Sequence, residues 1–275
     1  SAAATARASI ISNDSWTIHD GGASTCTNPT MAITSSTVSD GATSNDSTLA
    51  MTFTSSAATT NFVVGDISVS GGSLSSFAAT SSTVYTATFT PSGGDGAKTI
   101  DVNANVFTNS ASTNNIAATQ FNWTYDTTGP SMAITSSTVS DGATSNNSTL
   151  AMIFTSNEAT SNFVVGDISV SGGALSSFNA SSSTVYTATF TPSSQGATTI
   201  DVANNTFTDS ASNNNSAATQ FNWTYDTISP TMAITSSTVS DGATSNDSTL
   251  SMVFTSSEAT SNFVVGDISV SGGAL

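Results

Sequence analysis

The stretch MAITSSTVSDGATSN occupies residues 31–45, returns at residues 132–146 and returns again at residues 232–246. One unit of about a hundred residues is therefore written in tandem along a 275-residue chain. That period is longer than the roughly 20–50 residues of solenoids and propellers. It matches a domain that carries its own core. Residues 129–175 and 229–275 agree at 41 of 47 positions. The chain divides into an N-terminal arm or cap at 1–27, a first unit at 28–128, a second at 129–228 and an incomplete third at 229–275 that holds three strands. The arm contains SWTIHD at residues 15–20, a faint echo of NWTYD at residues 122–126 that reads as a degenerate last strand.

Around the repeated stretch, apolar side chains alternate with Ser, Thr and Asn at the two-residue period of a half-buried strand. In the first unit, residues 31–36 open a strand, Leu49, Met51 and Phe53 mark a second, and Ile67 and Val69 a third. Leu74 and Phe77 suggest a short fourth strand, and Tyr85, Ala87 and Phe89 a fifth. Ile100, Val102 and Ala104 alternate next, and Phe121, Trp123 and Tyr125 close the unit. Gly71, Gly72 and Pro91 punctuate these runs. VSDGATSNDS at residues 38–47 reads as a polar loop, and NFVVGD at residues 61–66 as one helical turn. Seven short strands without any helix-length period predict an all-β fold, a two-sheet Greek-key sandwich in each unit. Thr suits the outward face, because its β-branch fits the pleat while its hydroxyl stays hydrated.

Two basic residues stand against eighteen acidic ones, for a net charge of −16. Nucleic-acid binding needs a cationic footprint, which is absent, and anionic lipid is disfavoured on the same ground. An acidic chain poor in lysine suits a salty exterior and divalent cations, and it also serves plain solubility. Cys26 is the sole cysteine, so no disulfide closes within the chain and the redox compartment stays open. No apolar run reaches the roughly 18 residues that a membrane-spanning helix needs. Residues 1–10 lack the charged and apolar regions of a secretion signal and read as a mature N-terminus or a cut end.

The run DTTGP, MAITSS, STLAMIFTSNEATSNFVVGDISVSGGALSSF, STVYTATFTP and TTIDVANNTFTDSASNNNSAATQFNWTYDT resembles a bacterial Ig-like repeat. The likeness spans every expected strand, over residues 28–275. It implies tandem Ig-like Greek-key β-sandwich modules in a secreted, non-enzymatic protein. Such repeats occur in long extracellular adhesins and surface proteins of bacteria. Family membership alone does not say what is bound.

Comparing the copies singles out four polar positions of the second unit. Asp126, Glu158, Asp209 and Asn213 correspond to Thr25, Ala57, Asn109 and Thr113 of the first. The third unit keeps the first two as Asp226 and Glu258. In the sandwich that the resemblance implies, the incoming linker and two loops share one end of the domain. Asp126, Glu158, Asp209 and Asn213 are therefore expected to converge between units one and two. Asp167 is expected near them, with Asp267 as its third-unit counterpart and Asp66 persisting in the first. Converging carboxylate and amide oxygens are what Ca²⁺ takes, and without a cation they repel. The same residue types also form turns by bonding their own backbone, a second reading that stays open.

Catalytic readings find little support. His19 is the only histidine and lies outside the repeats, so no Ser–His–Asp set recurs per unit. A glycosidase pair needs one acid in an apolar pocket, whereas these carboxylates sit in polar turns. Nucleotide, metalloprotease and CxxC motifs are absent from the sequence. Phe121, Trp123 and Tyr125 alternate too strictly for a carbohydrate platform and read as core. Sequons at Asn122, Asn147 and Asn179 are expected by chance in a chain so rich in Asn, Ser and Thr. The expected role is a stalk or fibre at a bacterial surface, stiffened by calcium between modules. Its partners would be neighbouring copies or other surface components, with any carbohydrate or host ligand bound outside these modules. Two alternatives remain: a filament or surface-layer subunit completed by a neighbouring chain, and accessory modules of a large secreted enzyme.

Overall fold

The structure is a computed structural model that describes residues 27–275, so the SWTIHD echo, His19 and Cys26 lie outside the described residues. The first unit forms eight strands, β1 Met31–Ser35, β2 Thr43–Ser44, β3 Leu49–Ser55, β4 Ile67–Ser70, β5 Gly72–Ala79, β6 Val84–Pro91, β7 Gly96–Val102 and β8 Phe121–Tyr125. They make two four-stranded sheets, ordered β1-β3-β6-β5 and β2-β8-β7-β4. Every pairing is antiparallel except β2 with β8, which is parallel.

The second unit repeats the plan with β9 Met132–Ser136, β10 Thr144–Ser145, β11 Leu150–Ser156, β12 Ile168–Ser171, β13 Gly173–Ala180, β14 Val185–Pro192, β15 Gly196–Val202 and β16 Phe221–Tyr225. Its sheets run β13-β14-β11-β9 and β10-β16-β15-β12.

The register follows from the alternation. Leu49 pairs with Phe89, Met51 with Ala87 and Phe53 with Tyr85, so one face of the pleat collects the apolar side chains and the opposite face the threonines. Phe163, which lies in a loop, knits the second core together. Its ring packs 4.9 Å from Tyr186, 5.0 Å from Phe207, 5.9 Å from Phe178 and 6.1 Å from Phe154. Phe62 does the same in the first unit. The buried residues fall into two clusters, one for each complete unit. Each complete copy therefore has a core of its own.

Several expectations are corrected. The loop VSDGATSNDS contains β2, whereas the helical turn expected at NFVVGD is present, as a 3₁₀ turn at Val64–Asp66. Ala104 is exposed and outside β7, because the chain turns at Asn105 with φ of 65°. The short fourth strand is the eight-residue β5, broken by a bulge at Ser76, where φ is 54°. In the third unit, β17 Met232–Ser236 pairs with β18 Met252–Ser256. Residues 268–271, expected as a third strand, stay outside the sheet. The equivalent β12 pairs with β15, for which the third unit has no counterpart within 275 residues. Among the described residues, no helix is long and apolar enough to cross a membrane.

Candidate metal centre

Three loops bring oxygen atoms together where the first unit passes into the second. Asp126 follows β8; its N–H donates to Ser44 O at 3.1 Å and its Oδ1 accepts from Thr128 N–H at 3.1 Å. Glu158 follows β11 in a loop pinned to the linker by Asn157. There Asn157 Oδ1 accepts from Ser131 N–H at 2.7 Å, and Asn157 N–H donates to Ser131 O at 3.1 Å. Asp209 lies in the loop before β16, where its Oδ1 accepts from Asn213 N–H at 2.8 Å and its backbone bridges to Thr160. Buried Asn215 organises that loop, accepting from Thr206 and Phe207 N–H and donating to Ala203 and Ser216 O.

Carboxylate oxygens of Asp126, Glu158 and Asp209 all lie within 4.8 Å of one another. Glu158 Oε1 is buried and has no hydrogen-bond partner among the described residues, which is rare for a polar atom inside a protein. Asn213 stands among them, buried like Asp209. Its Nδ2 faces Asp209 Oδ2 at 2.9 Å, Asp126 O at 2.9 Å and Thr128 O at 3.4 Å. That is three acceptors for two protons. The place holds more oxygen than its donors can satisfy. Burial first, and then the charges of Asp209, Asp126 and Asp95, push the Glu158 carboxyl above its ordinary range.

Turn formation does not require this charge. In the first unit Asn109 Oδ1 accepts from Ala111 and Thr113 N–H at 3.0 Å. A neutral amide thus closes the same turn, and the negative charge of Asp209 is additional. What the arrangement can do chemically is hold a hard cation with carboxylate and carbonyl oxygens.

The other expected residues lie elsewhere. Asp167 Oδ2 accepts from Val164 N–H at 2.8 Å and Asp267 Oδ2 from Val264 N–H at 3.0 Å, so each closes its own 3₁₀ turn, as Asp66 does for Val63. Neither joins the cluster. Asp226 repeats the backbone role of Asp126, donating to Ser145 O and accepting from Ile228 N–H at 2.9 Å. Glu258 N–H donates to Ser256 Oγ at 3.5 Å. No third carboxylate joins these two among the described residues.

Asp95 was not expected at this junction. Its carboxylate straps the linker to the first unit, accepting from Thr127 N–H at 2.9 Å, Thr127 Oγ1 at 2.8 Å and Thr128 Oγ1 at 2.6 Å. Those bonds, the Thr128 hydroxyl foremost, hold it below the usual carboxylate range, with Lys98 adding to the effect. Lys98 itself is buried and donates to Ser92 O and Gly94 O, fixing the turn that carries Asp95. The units also touch directly, Asn45 Nδ2 donating to Asn213 Oδ1 at 3.0 Å. The signal for Asp95 was present in the copies, since SGGDG at residues 92–96 aligns with SSQG at 193–196.

A family model described as a bacterial Ig-like domain matches residues 25–125 and again residues 126–225. No curated protein sequence matches the chain. Solved structures of similar fold include InvD of Yersinia pseudotuberculosis, at 16% identity and a TM-score of 0.36 over 75% of this chain and 62% of that one. The Escherichia coli adhesin FdeC is 13% identical, with a TM-score of 0.39 over 76% of this chain and 67% of its own. Invasin, described as a bacterial integrin-binding protein, is 16% identical, with a TM-score of 0.37 over 75% of this chain and 42% of its own. The chain spans less than two thirds of the InvD and invasin chains.

Proposed function

The chain belongs to the bacterial Ig-like domain family, and from that we propose that it is a non-enzymatic structural spacer on the outside of a bacterial cell, with Ca²⁺ stiffening the joint between its first two modules. Near-identical copies suit a spacer, because length is what matters and no copy has to be special. Binding to a host or to another surface component then belongs to regions outside these modules.

The observation that carries the calcium reading is the three-carboxylate cluster around the unpartnered Glu158 Oε1. A bound divalent cation would neutralise the mutual repulsion and supply the missing contact. It would take ligands from the linker, through Asp126, and from the second module, through Glu158 and Asp209, while Asn213, expected as a ligand, turns its Nδ2 to the cluster and its Oδ1 to Asn45 and so braces the carboxylates instead. One ion would then fix the angle of entry into the second module.

Calorimetric melting with X-ray scattering tests the proposal. Saturating Ca²⁺ is expected to raise the melting temperature of the second module and to narrow the distribution of solution lengths. Unchanged melting and unchanged length would refute it.

A further inference from the structure

The linker lies directly against the second module at Gly129. A Cβ placed on this residue would lie 2.0 Å from Asn214 O and 3.1 Å from its carbonyl carbon. Its φ lies outside the left-handed region. Close contact with backbone therefore requires the glycine, not an unusual dihedral. Backbone on both sides leaves no flexible side chain to yield.

The first copy supplies the comparison. Asn28 takes the place of Gly129 there, and its Nδ2 donates to Asn114 O at 2.9 Å. A side chain thus stands between the linker and the carbonyl that Gly129 meets directly. The third copy has Ser229. The linker of the first copy also rests on its loop, Asn109 Nδ2 donating to Thr27 O at 3.4 Å and Ile116 N–H to Pro29 O at 3.1 Å, but where glycine stands Asn213 Nδ2 faces both Asp126 O and Thr128 O. The same approach puts the Asp126 carboxylate within 4.8 Å of those of Glu158 and Asp209.

We propose that Gly129 is the positioning residue of this cation site, an inference that rests on the calcium reading above. It adds no ligand of its own side chain. By letting the linker close on the loop at residues 209–214, it delivers the carboxylate and carbonyl of Asp126 to the ligands of the second module. The residue at this position, and not the count of carboxylates alone, decides which joint takes a cation.

The test is calorimetric titration of the full chain with Ca²⁺, for wild type, Gly129→Ala and Gly129→Asn, each with a melting curve in EDTA. Gly129→Ala is expected to weaken Ca²⁺ binding about 10–100-fold, the range for residues that orient metal ligands, and to lower the melting temperature by clearly more in Ca²⁺ than in EDTA. Gly129→Asn, which restores the first-copy arrangement, is expected to fold and to bind as weakly. Wild-type affinity in Gly129→Ala overturns the inference. So does a loss of melting temperature as large in EDTA as in Ca²⁺, which marks a merely structural glycine. A wild-type chain that takes up no Ca²⁺ overturns the calcium reading and this inference together, and the wild-type trace alone identifies that outcome.

Discussion

Replacing Glu158 with Gln should stabilise the second module without calcium and destabilise it, relative to wild type, with calcium. The carboxylate oxygens of Asp126 and Asp209 lie within 4.8 Å of that of Glu158. Two unit charges at such a distance repel by about 1 kcal/mol in water-like surroundings and by about 3–4 kcal/mol at an effective dielectric near 20. Glu158 is half-buried, and salt screens part of the repulsion, so the relief is about 1–2 kcal/mol. No hydrogen bond of Oε1 is lost, because it makes none. In a domain of this size about 1 kcal/mol moves the midpoint by about 4–8 °C. Differential scanning calorimetry in EDTA at low salt should place Glu158→Gln about 5–10 °C above wild type. In saturating Ca²⁺ the order should reverse, since only wild type keeps the full ligand set. A Gln variant that melts below wild type in EDTA would refute the reasoning, because Glu158 would then be making a favourable contact instead of enduring a repulsion.

Phe163→Ala removes the ring that joins four aromatic neighbours in the second core and should cost about 3–5 kcal/mol in urea unfolding. Tyr186→Phe leaves Thr160 O without the Tyr186 hydroxyl that bonds it at 2.9 Å, and the same unfolding assay should show a loss of about 1–2 kcal/mol. Asp46→Asn should stabilise the first module by about 1 kcal/mol. Ser44 Oγ is drawn to Asp46 and leaves Trp123 Nε1 unpartnered, whereas in the second module, with Asn147 at that place, Trp223 Nε1 donates to Ser145 Oγ at 3.1 Å. A melting comparison checks the sign. In EDTA, stability of the second module should rise as pH falls from neutral through the raised value of Glu158, since the folded state holds that proton more tightly than the unfolded one. At lower pH the contribution of Asp95, whose pKa is lowered, is lost as it protonates. The second-module transition should therefore rise on acidification while the first-module transition falls at lower pH, and a steady fall of the second from neutral to acid would contradict the Glu158 limb.

The strands that bury one face were legible from alternation alone. Leu49, Met51 and Phe53 lie inward on β3 as their spacing requires, and Phe121 and Trp123 do so on β8. β2 was not legible, because two polar residues have no period and their pairing is decided by a partner eighty residues away. Phe62 and Phe107 escaped for a related reason: they enter the core from loops, where no alternation marks them. For the junction, three of the expected carboxylates do meet. The comparison of copies detected Asp126, Glu158 and Asp209 through their joint replacement in the first unit. Asp167 misled because a turn-closing Asp and a converging one look alike in sequence, although its retention as Asp66 and Asp267 pointed to a role within each module. Asp95 was hidden behind a one-residue difference in turn length.

The parallel contact of β2 with β8 has a mechanical consequence. The chain enters each module upstream of β2 and leaves it downstream of β8, so a pull on the two ends drags these strands lengthwise in opposite directions. The bonds Gly41 N–H to Asn122 O at 2.7 Å, Thr124 N–H to Ala42 O at 3.0 Å and Asp126 N–H to Ser44 O at 3.1 Å then share the load and must fail together. A peeled hairpin gives up its bonds in succession at low force, whereas this latch concentrates resistance into a single rupture. The last of those bonds belongs to Asp126, so the residue that reaches toward the next module also anchors the latch of the one before it.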